Sequence, residues 1–159
     1  MKIRYNVKKE DCNKIKEIVE LTNFFNEKEV DVAVELIKEH IAKGVESGYH
    51  FVFSEVGEKI IGYTCYGPIA CTTSSYDIYW IVVNPDYQGK GIGKKLLMET
   101  ESLILKAGGS RSYIETSCRL QYNKTRAFYE RCGYNLASVL KDFYDKGDDK
   151  ATYCKILET

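Results

Sequence analysis

The segment from Asp77 to Leu97, DIYWIVVNPDYQGKGIGKKLL, constrains the fold more than any other stretch of the chain. A strand-like apolar run passes at once into a basic, glycine-spaced turn and then into an amphipathic helical start. Gln88, Gly91 and Gly93 stand in the order Q-x-x-G-x-G, with Gly89, Lys90, Ile92 and Lys94 between and beyond them. This spacing stacks bare backbone N–H groups at the mouth of a helix. The first turn of a helix has unpaired donors, and aligned peptide dipoles put partial positive charge there, so such a mouth binds phosphate.

Two common phosphate motifs do not fit. A Walker A loop closing on Gly93-Lys94 needs glycine where Gln88 sits and Ser or Thr where Lys95 sits. A Rossmann fingerprint starting at Gly89 and Gly91 needs glycine in place of Lys94, and an early βαβ unit to carry it. Overall charge gives no other pointer. Lysine plus arginine equal aspartate plus glutamate at 23 each, so no global field draws the chain to nucleic acid or to an anionic membrane. Positive charge is local, with Lys90, Lys94 and Lys95 at the turn.

The segment resembles the acetyl-CoA-binding signature of the GNAT superfamily of N-acetyltransferases, in which Q/R-x-x-G-x-G/A bridges a central strand and the following helix. A second stretch, Asn123 to Tyr134, reads NKTRAFYERCGY and is similar to the family's later helix, with an asparagine, Ala-Phe-Tyr and a Gly-aromatic pair in order. The resemblance covers roughly the C-terminal half. It implies a GNAT-like α/β (α+β) fold, a central mixed, mostly antiparallel sheet of about seven strands flanked by about four helices. It also implies acetyl-CoA as cosubstrate, an amine acceptor and direct attack in a ternary complex. A non-catalytic acyl-CoA-binding or sensing module, and a generic nucleotide-phosphate protein, are the alternatives.

Length agrees with one domain spanning 1–159, since a chain of 159 residues buries about two-thirds of its unfolded surface. Six cysteines, at 12, 65, 71, 118, 132 and 154, lack a C-x-x-C pair. With no signal-like start and no long apolar span, reduced thiols in a cytoplasmic protein are expected.

Periodicity places an opening strand over 1–7 and a helix after Asp11 as N-cap, with Ile15, Ile18, Val19 and Leu21 inward. A second helix over 27–43 carries Val30, Val34, Ile37 and Ile41 and stops at Gly44. Strands are expected over 50–54, 59–65, 76–83 and 112–116, with helices over 91–107 and 122–132. A last hairpin pairs 134–144 with 151–157 around the turn formers Asp145 to Asp149.

Acetyl transfer needs a neutral amine, a polarised thioester carbonyl and a proton for the departing thiolate. The resemblance implies that the Ile81 backbone N–H polarises the carbonyl and that the Val83 backbone, with Val82 between them, holds the pantetheine arm. Gln88, Gly89, Lys90, Gly91, Ile92, Gly93 and Lys94 are then the cofactor-binding turn, Tyr129 lies near the thiol, and Asn123 is a further cofactor-binding residue. Tyr129 is the implied general acid, a phenol that stays protonated at neutral pH. Asp77 is the implied general base, with Glu115 and Tyr79 as rivals. Thr22 to Asn26 and the Phe143-Tyr144 region are the expected acceptor walls, with a helix-to-helix staple as the other role open to Phe24 and Phe25. His40 and His50, the only histidines, sit away from the motifs and from any cysteine or carboxylate cluster, so no metal site is expected. Cys118 and Cys132 read as packing residues. A homodimer through the final hairpin stays open.

Overall fold

The computed structural model describes residues 1–158; Thr159, the last residue of the expected domain, lies outside them. Seven strands run β1 (Lys2–Arg4), β2 (His50–Val56), β3 (Lys59–Pro68), β4 (Ser75–Val83), β5 (Arg111–Ser117), β6 (Asn135–Asp145) and β7 (Asp148–Ile156). Four α-helices are found among the described residues: α1 (Asp11–Leu21), α2 (Glu27–Lys43), α3 (Ile92–Lys106) and α4 (Asn123–Arg131). The strands form one sheet in the order β1-β2-β3-β4-β5-β7-β6. The β4–β5 pairing is parallel, and the β1–β2, β2–β3, β5–β7 and β6–β7 pairings are antiparallel. This is the mixed sheet with four helices that the sequence implied. None of the helices is long and apolar enough to cross a membrane.

Contacts divide the chain into two compact units, one of Met1–Gly67 with Ile78–Leu103, the other of Pro68–Asp77 with the chain from Ile104 onward. The first unit packs Ile15, Ile18 and Val19 of α1 and Val30, Ala33 and Ile37 of α2 against Phe51, Phe53, Tyr63 and Cys65 of the sheet. Apolar residues three and four apart on each helix make this stripe. α3 seats on β3 at a close approach: a Cβ on Gly62 would stand 2.9 Å from Leu96 Cδ1 and 3.1 Å from the Val82 carbonyl oxygen. Beside it the hydroxyls of Thr64 and Thr100 share a buried 2.7 Å hydrogen bond. Together these contacts fix where α3 begins. In the second unit Tyr134 and Tyr153 are buried with Tyr129, and the Tyr134 hydroxyl lies 2.9 Å from Ser112 Oγ.

Several sequence expectations need correction. The opening strand is only Lys2–Arg4, because Arg4 turns inward to two carboxylates. Asp11 is not the N-cap: Glu10 holds that position without a side-chain cap, and Asp11 opens the helix fully buried. Its carboxylate accepts from Arg4 at 2.8 and 2.9 Å and from the Lys8 N–H at 2.7 Å. The demand of a buried guanidinium outweighs a cap's demand for a carboxylate. Leu21 is 55% exposed rather than inward, since it falls one residue off the 15/18/19 stripe's continuation. On α2 the stripe runs through Ala33 rather than Val34 and ends before the exposed Ile41. Asn26 and Glu29 form a capping box at the start of α2. The last turn is just Lys146-Gly147, because Asp145 and Asp148 are registered partners in the ladder.

The Arg4 cluster gives a direct stability test. Asp11→Ala leaves a guanidinium buried with one carboxylate fewer, and about 3–5 kcal/mol of destabilisation is expected in urea unfolding. Glu39→Ala, which removes the exposed pair with Lys43, is expected to leave the urea midpoint unchanged.

Candidate active site

β4 leads into the glycine turn through a built corner. Asn84 is buried, its N–H donates to the Ile61 carbonyl at 2.8 Å, and its side chain accepts from the Asp86 N–H at 2.9 Å. The 3-10 turn Pro85–Tyr87 follows, and the Gln88 side-chain amide reaches back to the Val83 carbonyl at 3.3 Å. Gln88 thus ties the end of β4 to the turn. Gly89 and Gly91 have φ of 75° and 79°, a conformation that side chains disfavour, and a Cβ built on either meets no atom within 4 Å. Backbone is therefore open to a ligand at the mouth of α3. Ile92, Gly93 and Lys94 make the first turn of α3, where N–H groups lack partners within the helix. Lys90 and Lys94 are exposed beside it, and the outer face holds an open groove lined by Gly91, Lys94, Lys95, Met98, Glu99 and Ser102. Nests of backbone N–H with lysines at hand suit a pyrophosphate.

On β4, Val82 is buried in the core, so only its backbone is available to a ligand, while Ile81 and Val83 are half-buried. The parallel pairing with β5 registers only Ser75, Tyr76 and Asp77 against Arg111, Ser112 and Tyr113. Six residues of β4, Ile78 to Val83, lie past the end of that register. In the same unit Phe25 meets Trp80 of β4 edge-on at 4.8 Å, a contact with the sheet just before the α2 capping box; Phe24 is 43% exposed. Tyr79 is exposed and meets Tyr49 edge-on at 5.4 Å. His40 Nδ1 lies 2.6 Å from the Tyr49 carbonyl, and burial first, then His40, lowers the pKa of His50. Among the described residues no group of three or more His, Cys, Asp or Glu is placed to hold a metal.

In the second unit, Tyr129 is 5% exposed and packs against Phe128, Tyr134 and Tyr153 at 5.7, 6.3 and 5.9 Å. Burial drives its phenol pKa well up, which keeps the proton on oxygen at neutral pH. Asn123 opens α4 exposed, and its side-chain oxygen accepts from Arg126. Arg126, which sequence reasoning missed, also donates to the Ser117 carbonyl at 2.6 Å and so ties α4 to the end of β5. Asp77 is half-buried, and its pKa is raised to about 6 by burial first and by Glu115 second, against Lys150. Lys150 pairs with Glu115 at 3.4 Å and lies 3.9 Å above the Phe143 ring. The Tyr144 phenol is pushed up to about 12 by burial, then by Glu115 and Asp148. Glu115 of β5 thus joins the aspartates that the Phe143-Tyr144 region carries in its own sequence. All six cysteines are free thiols; Cys65 is buried and Cys118 and Cys132 are half-buried.

A strand-to-helix glycine corner on a seven-stranded mixed sheet is the arrangement that the GNAT resemblance implied. A family model for the acetyltransferase (GNAT) domain matches residues 46–136. A crystal structure from Desulfovibrio desulfuricans, described as a GNAT-family acetyltransferase, superposes with a TM-score of 0.97 at 42% identity over 99% of each chain. The N-alpha-acetyltransferase RimI of Mycobacterium tuberculosis is 30% identical over 96 residues, 60% of this chain and 58% of that protein. This chain thus spans little more than half the length of that curated relative. The fold is shared with the PaiA N-acetyltransferase of Thermoplasma acidophilum in complex with coenzyme A, with a TM-score of 0.72, 19% identity, and 96% and 98% of the two chains covered. The chain belongs to the GNAT acetyltransferase family.

Asp77 has a stability signature that needs no substrate. An unfolded aspartate titrates near 3.9, so a folded value near 6 means that the folded chain holds the proton more tightly. The stability this gives is complete below about pH 4 and is lost as pH rises through about 6. Asp77→Asn is therefore expected to melt higher than the parent at pH 7.5, with the gap closing by pH 4.5. A variant that melts lower at pH 7.5 would contradict the raised pKa.

Proposed function

We propose that the chain is an acetyl-CoA-dependent N-acetyltransferase that acetylates a primary amine by direct attack, with both substrates bound together. The observation that carries this reading is the open corner of Gly89 and Gly91 at the mouth of α3, locked to β4 by Gln88. Gly89 through Lys94 take the phosphates, and the Val82 and Val83 backbone takes the arm that leads from them. The cosubstrate supplies an acetyl thioester. The Ile81 N–H lies past the end of the registered β5 pairing, which supports its role as donor to the thioester oxygen. Such a donor is typically worth about 2.7–4 kcal/mol of barrier in other enzymes. Tyr129, buried and protonated, is the proposed acid for the leaving thiolate, and Asp77 the proposed base that takes a proton from the acceptor ammonium. With a pKa near 6, Asp77 is charged at neutral pH yet basic enough to accept a proton.

The acceptor is a peptide or protein amine, an amino acid or a small metabolite amine. A peptide α-amine comes first in a screen, because the Mycobacterium tuberculosis relative is an N-alpha-acetyltransferase.

The test is thermal unfolding with CoA and acetyl-CoA beside ATP and NAD. A ligand at about 100 times its dissociation constant adds roughly 2.7 kcal/mol, which moves a domain of this size by several degrees. Selective stabilisation by the CoA species is expected, and its loss in Gly91→Val. Stabilisation by ATP or NAD with none by CoA would overturn the reading. In a thiol-release assay with an accepted amine, Tyr129→Phe is expected to lower kcat about 10²–10⁴-fold with the CoA affinity kept. An unchanged kcat would remove Tyr129 from the acid role.

A further inference from the structure

The β5 strand alternates: Ser112, Ile114 and Thr116 are buried, while Arg111, Tyr113 and Glu115 turn to the other face. Tyr129 of α4 packs on Tyr153, which is registered with Ile114, so α4 covers the first of these faces. The second face carries charge. Asp77 is registered with Tyr113, and parallel partners share a face, which puts Asp77 on it. Glu115 is two residues further along the same face, about 7 Å in strand rise. Lys150 is registered with Ser117, again on this face, and its Nζ stands 3.4 Å from Glu115 Oε1.

Exposure within the pair is unequal. The Lys150 side chain is 12% exposed and the Glu115 side chain 48%. An ordinary surface ion pair leaves both ends in water and contributes little. Here the ammonium is covered instead, lying 3.9 Å over the Phe143 ring, and a covered charge exerts a less screened field on its neighbours.

We propose, resting on the reading of Asp77 as the base, that Glu115 and Lys150 are positioning residues for it: a like charge and a counter-charge set on one strand face to tune the proton acceptor for the incoming ammonium. Glu115 makes Asp77 basic enough to take the proton from R–NH3+, leaving R–NH2 with its lone pair free. Lys150 keeps the carboxylate ionised at neutral pH, so that it is a base before the acceptor arrives. The two effects on Asp77 have the opposite signs expected of the two charges. From β5 the groups on the face of Asp77 are Arg111, Tyr113 and Glu115, and from β7 Lys150; Tyr144 of β6 feels Glu115 and Asp148.

The test is the carboxyl-carbon NMR titration of Asp77 in the full chain and in Glu115→Gln, Lys150→Met and Lys150→Arg. The parent is expected to titrate at about 6. Glu115→Gln is expected to lower the midpoint and Lys150→Met to raise it, each by roughly half a unit or more, with Lys150→Arg returning it to the parent value. A structural role alone would move melting temperature without this opposed pair of shifts. The pH–rate profile with an accepted amine separates the two layers. If Asp77→Asn abolishes the acid limb while Glu115→Gln and Lys150→Met leave Asp77 titrating as in the parent, the tuning is overturned and the base stands. If Asp77→Asn keeps the parent profile, Asp77 is not the base and the positioning role falls with it. Opposed shifts in the titration, matched by the acid limb, support the proposal.

Discussion

The first turn of α3 exposes N–H groups that no carbonyl of that helix can satisfy, and the rest of the structure holds that turn in place. β3 and α3 meet at Gly62, where no larger residue fits without displacing Leu96 or the Val82 carbonyl. The Thr64–Thr100 hydrogen bond fixes the same contact from inside. Asn84 and Gln88 then set the corner between β4 and the helix. Positive φ at Gly89 and Gly91 leaves the backbone bare. A phosphate-bearing substrate gains most from such a preorganised nest, because the donors are in place before it arrives.

Two charge arrangements show opposite uses of burial. Arg4, Asp11 and Glu55 are each less than 10% exposed and satisfy one another, a cluster whose removal of one member is costly but whose chemistry is inert. Asp77, Glu115 and Lys150 share one strand face, where Glu115 stays half in water and Phe143 covers Lys150, with two like charges and one opposite. A half-buried carboxylate next to another holds its proton more tightly, and groups shifted towards neutral pH mark sites of proton transfer.

The element order was legible in the sequence because period and punctuation agree along most of it, and the glycine corner was legible because its residues are consecutive. What escaped was non-local. Asp11 reads as a cap in sequence, but Arg4, brought inward by the β1–β2 register, claims it. Asp148 and Asp149 read as turn formers, yet the ladder continues to the Asp145–Asp148 pair. The charged face draws Asp77, Glu115 and Lys150 from three strands, so no window of sequence holds it. The Phe143-Tyr144 segment carries its own aspartates in sequence, but not Glu115, which β5 brings to it. Tyr129 stands between these cases: its motif names it, whereas its burial against Tyr134 and Tyr153, which keeps the phenol protonated, comes from packing.

If backbone amides of the β4 end and the α3 mouth hold acetyl-CoA, amide hydrogen exchange reads those groups directly. With saturating CoA, slowed exchange is expected at Ile81 to Val83 and at Gly89 to Lys94, with the buried α1 and α2 amides unchanged. Protection confined to other segments, or none at CoA concentrations that saturate the thermal shift, would contradict the account.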